Sequence, residues 1–145
     1  MTFKIDSSVA HLDHALSPSV VALVSQHYQG RDGFFIASFE LPPELPSVPC
    51  GLHGPATGEP PVGDDEVTLV VRPPRSYPSR TCQRPPVMTR TITVIAGPHE
   101  GASCVLYTAF GGPLAPREPE DASLQTDEAR AEARAFWSQH ALNLV

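Results

Sequence analysis

No stretch of this 145-residue chain is long and apolar enough, at about 18 residues, to read as a membrane-spanning helix. Its opening residues, MTFKIDSSVAHLDHALSPS, carry acids and no apolar core, so they do not read as a secretory signal. Cysteine is sparse: Cys50, Cys82 and Cys104 are an odd number at irregular spacing. A disulfide framework wants an even count, so reduced thiols and a cytoplasmic setting are expected. The G-x-S-x-G turn that presents a catalytic serine is missing, and no cysteine has a recognisable nucleophile context. Covalent hydrolysis is therefore not expected. The glycines at 51–63 alternate with prolines and form no phosphate-cradling loop.

Metal-ligating patterns are equally incomplete. His11 and His14 have H-x2-H spacing and Cys50 and His53 have C-x2-H, but Cys82 and Cys104 stand alone, so a second zinc-binding knuckle is missing. Asp64, Asp65 and Glu66 are adjacent acids that point alternately, which suits solvated side chains better than a hard-cation site. Neither a metal nor a cofactor is implied. There is no internal repeat, no heptad pattern and no tail of like charge.

What is present fits a globular protein. Hydrophobic content is 41% and charged content 18%, and the length suits one α+β domain over residues 1–145. The net charge of −6 should repel nucleic acid and anionic membranes unless charge is locally segregated.

Residues 17–29 place Val20, Val21, Leu23, Val24, His27 and Tyr28 on a helical stripe, with Ser17 as N-cap and Pro18 in the first turn, while the β-branched residues leave room for a strand instead. Gly30 and Asp32-Gly33 end that element. Four strands are expected: Phe34–Leu41, Glu66–Val71, Arg90–Ala96 and Ser103–Phe110. The last two form a hairpin around Gly97–Gly101. The fold class expected is α+β, a four-stranded antiparallel sheet with an N-terminal helix and an amphipathic C-terminal helix. That last helix is read from about Asp127 to Leu142, capped by Thr126, with Asp127 and Glu128 in its first turn. Its stripe of Ala129, Ala133, Phe136, Trp137, His140, Ala141 and Leu144 should bury against the sheet. Two long connections remain: a Pro/Gly-rich loop at 42–64, with seven prolines and four glycines, and an Arg-rich loop at 72–90.

The Arg-rich segment carries the clearest chemical signal. From Arg72 to Arg90 there are five arginines and no acid, so the segment is +5 and the rest of the chain −11 against the total of −6. With Ser76, Tyr77, Ser79 and Thr81 as hydroxyl donors, it suits an anion such as a phosphorylated ligand or RNA. The alternative is a solvated segment whose arginines pair with the acids at 64–66 or 118–121. His99, at the hairpin tip beside Glu100, is placed to titrate near neutral pH, and His14 and His27 flank or sit on the first helix. Tyr107 and Thr108 lie near one end of the hairpin with Arg90 and Thr91.

The order of one helix before an antiparallel sheet, with His, Arg and Thr scattered on it and the closing segments LYTAFGGPLAPREPED and FWSQHAL, resembles the barnase, colicin and RelE-like group of small bacterial ribonucleases. That resemblance implies a metal-independent cleavage. Arg80 and Arg90 would clamp the phosphate, His14 or His99 would act as acid and base, and Tyr107 and Thr108 would donate hydrogen bonds. The net acidity departs from that group's usual basic character.

Three functional readings stand at this point. One is an RNA- or nucleotide-directed enzyme. Another is a non-catalytic interaction module of immunity or accessory type, with a protein partner on the 42–64 loop. The third is a small-molecule-binding protein with a pocket between sheet and helix.

Overall fold

A computed structural model describes residues 3–6, 8–12 and 16–144, with His11 and Leu12 as backbone. The architecture is α+β, with two α-helices and several small sheets in place of the single four-stranded sheet expected. The chain divides into two compact units: residues up to Pro49 with Met88–Gly112, and Cys50–Val87 with Pro113 onward.

The first unit contains β1 (His11–Leu12), α1 (Pro18–Tyr28), β2 (Phe35–Glu40) and β3 (Val48–Pro49). The second unit then begins with β4 (Leu52–His53), β5 (Thr68–Val71) and β6 (Pro78–Cys82). The chain returns to the first unit through β7 (Met88–Thr89), β8 (Thr91–His99) and β9 (Ala102–Gly111). It ends in the second with α2 (Asp127–Trp137) and β10 (Ala141–Asn143).

In the first unit the sheet order is β1-β9-β8-β2, with β8–β9 the expected hairpin and β2 antiparallel to β8. β1 adds to β9 in parallel, pairing His11 with Thr108, so this sheet is mixed. The strand expected at 66–71 is not its fourth member; it lies in the other unit's sheet. Ser17 caps α1 as expected, its hydroxyl accepting from the Val20 amide at 3.4 Å. The helix buries Val20, Val24 and Tyr28 in one core with Phe35, Phe39, Ile92, Val94 and Leu106. β8 and β9 are mostly buried because their alternating apolar residues meet α1 on one face.

The second unit's sheet runs β4-β10-β6-β5, with β10 antiparallel to β4 and parallel to β6. Two expectations are corrected here. The segment at 72–90 is not all loop, since β6 and β7 form within it, and 42–64 contains two short strands and a single-turn 3-10 helix at Pro55–Thr57, with a second, Asp64–Glu66, starting at its end. Helix α2 is capped by Thr126, which accepts from the Ala129 amide at 3.0 Å, but it stops at Trp137 instead of running to Leu142. The His140 ring supplies the reason. Its Nδ1 donates to the Phe136 carbonyl at 2.7 Å, taking the acceptor that the residue-140 amide would use in a continuing helix, and β10 starts one residue later.

Candidate functional site

The residues singled out for an anion site do not form one cluster within either unit. Arg80 belongs to the second unit; Arg90, His99, Tyr107 and Thr108 belong to the first; His14 lies outside the described residues.

Arg90 sits between β7 and β8 and spends its guanidinium on backbone. Nη2 donates to the carbonyls of Leu45 at 2.8 Å, Leu41 at 3.4 Å and Pro42, and Nη1 reaches the Ser47 hydroxyl at 3.4 Å. It organises the turn after β2, adding a donor to carbonyls of which that of Pro42 also accepts from the Leu45 amide at 3.1 Å. His99 is half-exposed and 3.8 Å from the Glu100 carboxylate. The Tyr107 hydroxyl donates to the Pro98 carbonyl. Thr108 faces Ile95 across the hairpin.

Arg80 is held from four directions. It meets Asp64 at 2.7 Å and the carbonyls of Val62, His140 and Ser138 at 3.2–3.4 Å. Arg84, not among the sequence candidates, grips Glu66 with two bonds at 2.7 and 2.8 Å and the carbonyls of Pro60 and Pro61 at 2.8 and 2.9 Å. That fork holds the Glu66 carboxyl below its usual range. Arg75 meets the buried Glu118 at 3.0 Å. An open depression of about 360 Å³ beside Arg84, lined also by Cys82 and Asn143, therefore offers an anion no uncommitted guanidinium.

The most ordered chemistry in the second unit was missed from the sequence. His53 in β4 is fully buried, with Nδ1 3.1 and 3.2 Å from the two Glu59 oxygens and Nε2 on the Asn143 side-chain oxygen. The Asn143 amide nitrogen donates to the Cys50 carbonyl at 2.7 Å, which fixes its oxygen toward the ring. Both ring nitrogens thus face oxygens, the Glu59 carboxylate on one side and the Asn143 amide on the other. Burial works to raise the Glu59 carboxyl. Hydrogen bonds from the Thr57 hydroxyl at 2.6 Å, His53 and the Gly54 amide at 3.3 Å, together with the His53 charge, overcome it and hold the group below its usual value.

His140 completes the cluster. Its Nδ1 donates to Phe136 and its Nε2 accepts from the Ala56 amide at 3.0 Å, so it is neutral, and its ring stacks on Phe136 at 3.8 Å. Gly54 lets this happen: at φ 135°, an added Cβ would lie 2.5 Å from the His140 ring and 2.6 Å from the Gln139 carbonyl.

Chemically this centre is closed. Neither His53 nitrogen is free to take a substrate proton, and the ring has no solvent access. It clamps residues 50–66 to the last strand. The signal for it was in the chain, as His53 and Glu59 six residues apart, but its third member lies 90 residues away. Burial also keeps the thiols quiet: it raises Cys50, aided by Glu59, and Cys104, aided by Asp32. Among the described residues no group of three or more His, Cys, Asp or Glu could hold a metal ion, and no helix is long and apolar enough to cross a membrane.

The open chemistry is apolar and lies at sheet edges. β5 ends its sheet, and Leu69 and Val71, on one face of it, are 63% and 53% exposed. Their neighbours on β6 are Arg80 and Pro78. β2 is the terminal strand of the first unit's sheet, with Phe34 and Ile36 exposed, but its outer face also carries Ser38 and Glu40. A charge on an edge strand blunts further pairing; β5 has none.

No family model, curated protein or solved structure matches the chain.

Proposed function

We propose that this protein is a non-catalytic interaction module that accepts an extended segment of a protein partner on the open edge of β5. The observation that carries this reading is the edge itself: four residues without charge or proline, two of them large, apolar and exposed, and, among the described residues, no strand paired to β5 on the side away from β6. Main-chain pairing supplies affinity in such a mode, and alternate side chains supply selectivity. The surface differs from the 42–64 loop expected for such a module; much of that loop's apolar content, including Val48, Leu52 and Val62, is buried.

The RNA-directed acid–base reading and its likeness to small ribonucleases draw less support. A phosphate clamp needs guanidinium donors that are free, and Arg80 and Arg90 hold carbonyls and Asp64. The experiment pairs two measurements. A photo-crosslinking amino acid replaces Leu69 in living cells, with Glu132 on the exposed side of α2 as control, and the purified protein is assayed on RNA in chelator. Discrete adducts at 69, none at 132 and intact RNA are expected. Absence of adducts at 69, or RNA cleavage lost on Arg80→Ala or Arg90→Ala, would overturn the reading.

A further inference from the structure

Resting on that reading, we infer that the segment received by β5 is the β5 of a second copy of this chain, forming a two-fold symmetric antiparallel pair. The edge is self-complementary in shape, symmetry and charge.

Opposed residues in an antiparallel pair point to the same face, and a two-fold axis normal to the sheet leaves each face unchanged. Residues of equal parity must therefore oppose each other. Val70 opposite Val70 of the second copy meets this condition. It sets Leu69 against the second copy's Val71 and joins the four exposed apolar side chains into one cross-strand cluster. A shift of one residue would set Leu69 against the opposite face and is excluded by the same parity.

Charge selects the same arrangement. The acidic turn Asp64–Glu66 leads into β5, and Arg72 and Arg75 leave it. Antiparallel pairing brings the acidic entry of each copy beside the basic exit of the other, whereas parallel pairing would set acids beside acids. Asp65 and Arg72 have no ion pair within the chain among the described residues, so both are available across the two-fold. A strand of four residues buries little beyond these side chains, so the dimer forms at high concentration rather than being obligate.

The test is sedimentation velocity on the full chain, from low micromolar to near-millimolar concentration, at low and high salt. A dimer fraction that rises with concentration and falls with salt is expected. Leu69→Lys should weaken association by at least about tenfold, Asp65→Arg by about two- to fivefold, and Glu132→Lys should leave it unchanged. Amide exchange at residues 69–71 of the unaltered chain should slow as concentration rises, a readout independent of any variant. A chain that stays monomeric throughout, or a dimer indifferent to Leu69→Lys, overturns the self-pairing. Crosslinks at 69 only to other proteins, from a monomeric chain, would remove the second copy as partner and leave the interaction reading standing. No crosslinks at all would remove both.

Discussion

Glu59→Gln isolates the electrostatic part of the buried centre in the second unit while keeping its shape. One oxygen of Glu59 accepts from both the Thr57 hydroxyl and the Gly54 amide at 2.6 and 3.3 Å and the other faces His53 at 3.1 Å, so the glutamine must turn its N–H₂ either toward those two donors or toward the His53 ring. It also removes the negative charge that faces the fully buried His53 ring. Breaking a buried pair from one side costs about 3–5 kcal/mol. Glu59 keeps 15% of its side chain exposed, and solvent screening lowers the expected loss to about 2–3 kcal/mol. For a chain of this length that is a fall of roughly 6–10 °C in Tm at neutral pH.

The pH dependence sharpens the test. The folded Glu59 carboxyl lies below its ordinary value of 4.5 because hydrogen bonds and the His53 charge outweigh burial. A depressed carboxyl contributes stability above the unfolded value and loses it as the pH falls through the folded one. The unaltered protein should therefore lose this stabilisation in acid while Glu59→Gln, which cannot titrate there, does not. Differential scanning calorimetry from neutral pH to well below 4.5, past the lower value of the folded carboxyl, should show the two Tm values converging. A gap that stays constant across that range, or one below about 1 °C at neutral pH, would refute the charged pairing.

Arg90→Ala removes the guanidinium from the carbonyls of Leu41 and Leu45 and from that of Pro42, which keeps only the Leu45 amide; a loss of about 2–3 kcal/mol by chemical denaturation is expected, and Arg90→Lys should recover little of it because one ammonium cannot reproduce the fork. Gly54→Ala drives a methyl into the His140 ring and the Gln139 carbonyl at φ 135°, so thermal melting should show a loss of several kcal/mol, more than a surface Gly58→Ala. Cys50, Cys82 and Cys104 are buried and reduced; a chromogenic disulfide reagent should titrate all three promptly in denaturant and only slowly in buffer.

Much of the first unit was legible because each element advertised itself locally. Ser17-Pro18 before an apolar stripe set the start of α1, and two β-branched and apolar runs on either side of a Gly-bearing turn set the β8–β9 hairpin. Strand β6 was missed because its buried face is Ser79 and Thr81, small polar residues that break the apolar pattern; Thr81 is made tolerable there by donating to the Thr68 carbonyl at 2.7 Å. β10 was hidden inside an extrapolated helix, since nothing before His140 signals a stop. The stop comes from that ring's own bond to Phe136. The candidate site was harder still. A hairpin histidine and an arginine run are visible in one dimension, and so are the acids at 64–66 and 118–121 as alternative partners of that run; which arginine meets which acid, and that Arg90 turns to carbonyls instead, is not.

The arginine run shows why. Read alone, +5 in 19 residues invites either a bound anion or the chain's own acids at 64–66 and 118–121. Folded, Arg75, Arg80 and Arg84 meet Glu118, Asp64 and Glu66, acids from 16 to 43 residues away in sequence. The second unit has only small apolar clusters, around Leu52, Ala133 and Trp137 and around Val62, Cys82 and Ala141. With so little area to bury, hydrophobic contact alone would leave strand order and register weakly specified. Directional bonds remove that ambiguity: Arg80 ties β6 to the 62–64 turn and to the residues that precede β10, Arg84 ties the end of β6 to residues 59–66, and His53 ties β4 to β10. Each would leave a buried or half-buried polar group unsatisfied in any other pairing. The segregation of charge along this chain is thus a folding code for its smaller-cored unit, and the surface left for a partner is the apolar strand that the code does not cover.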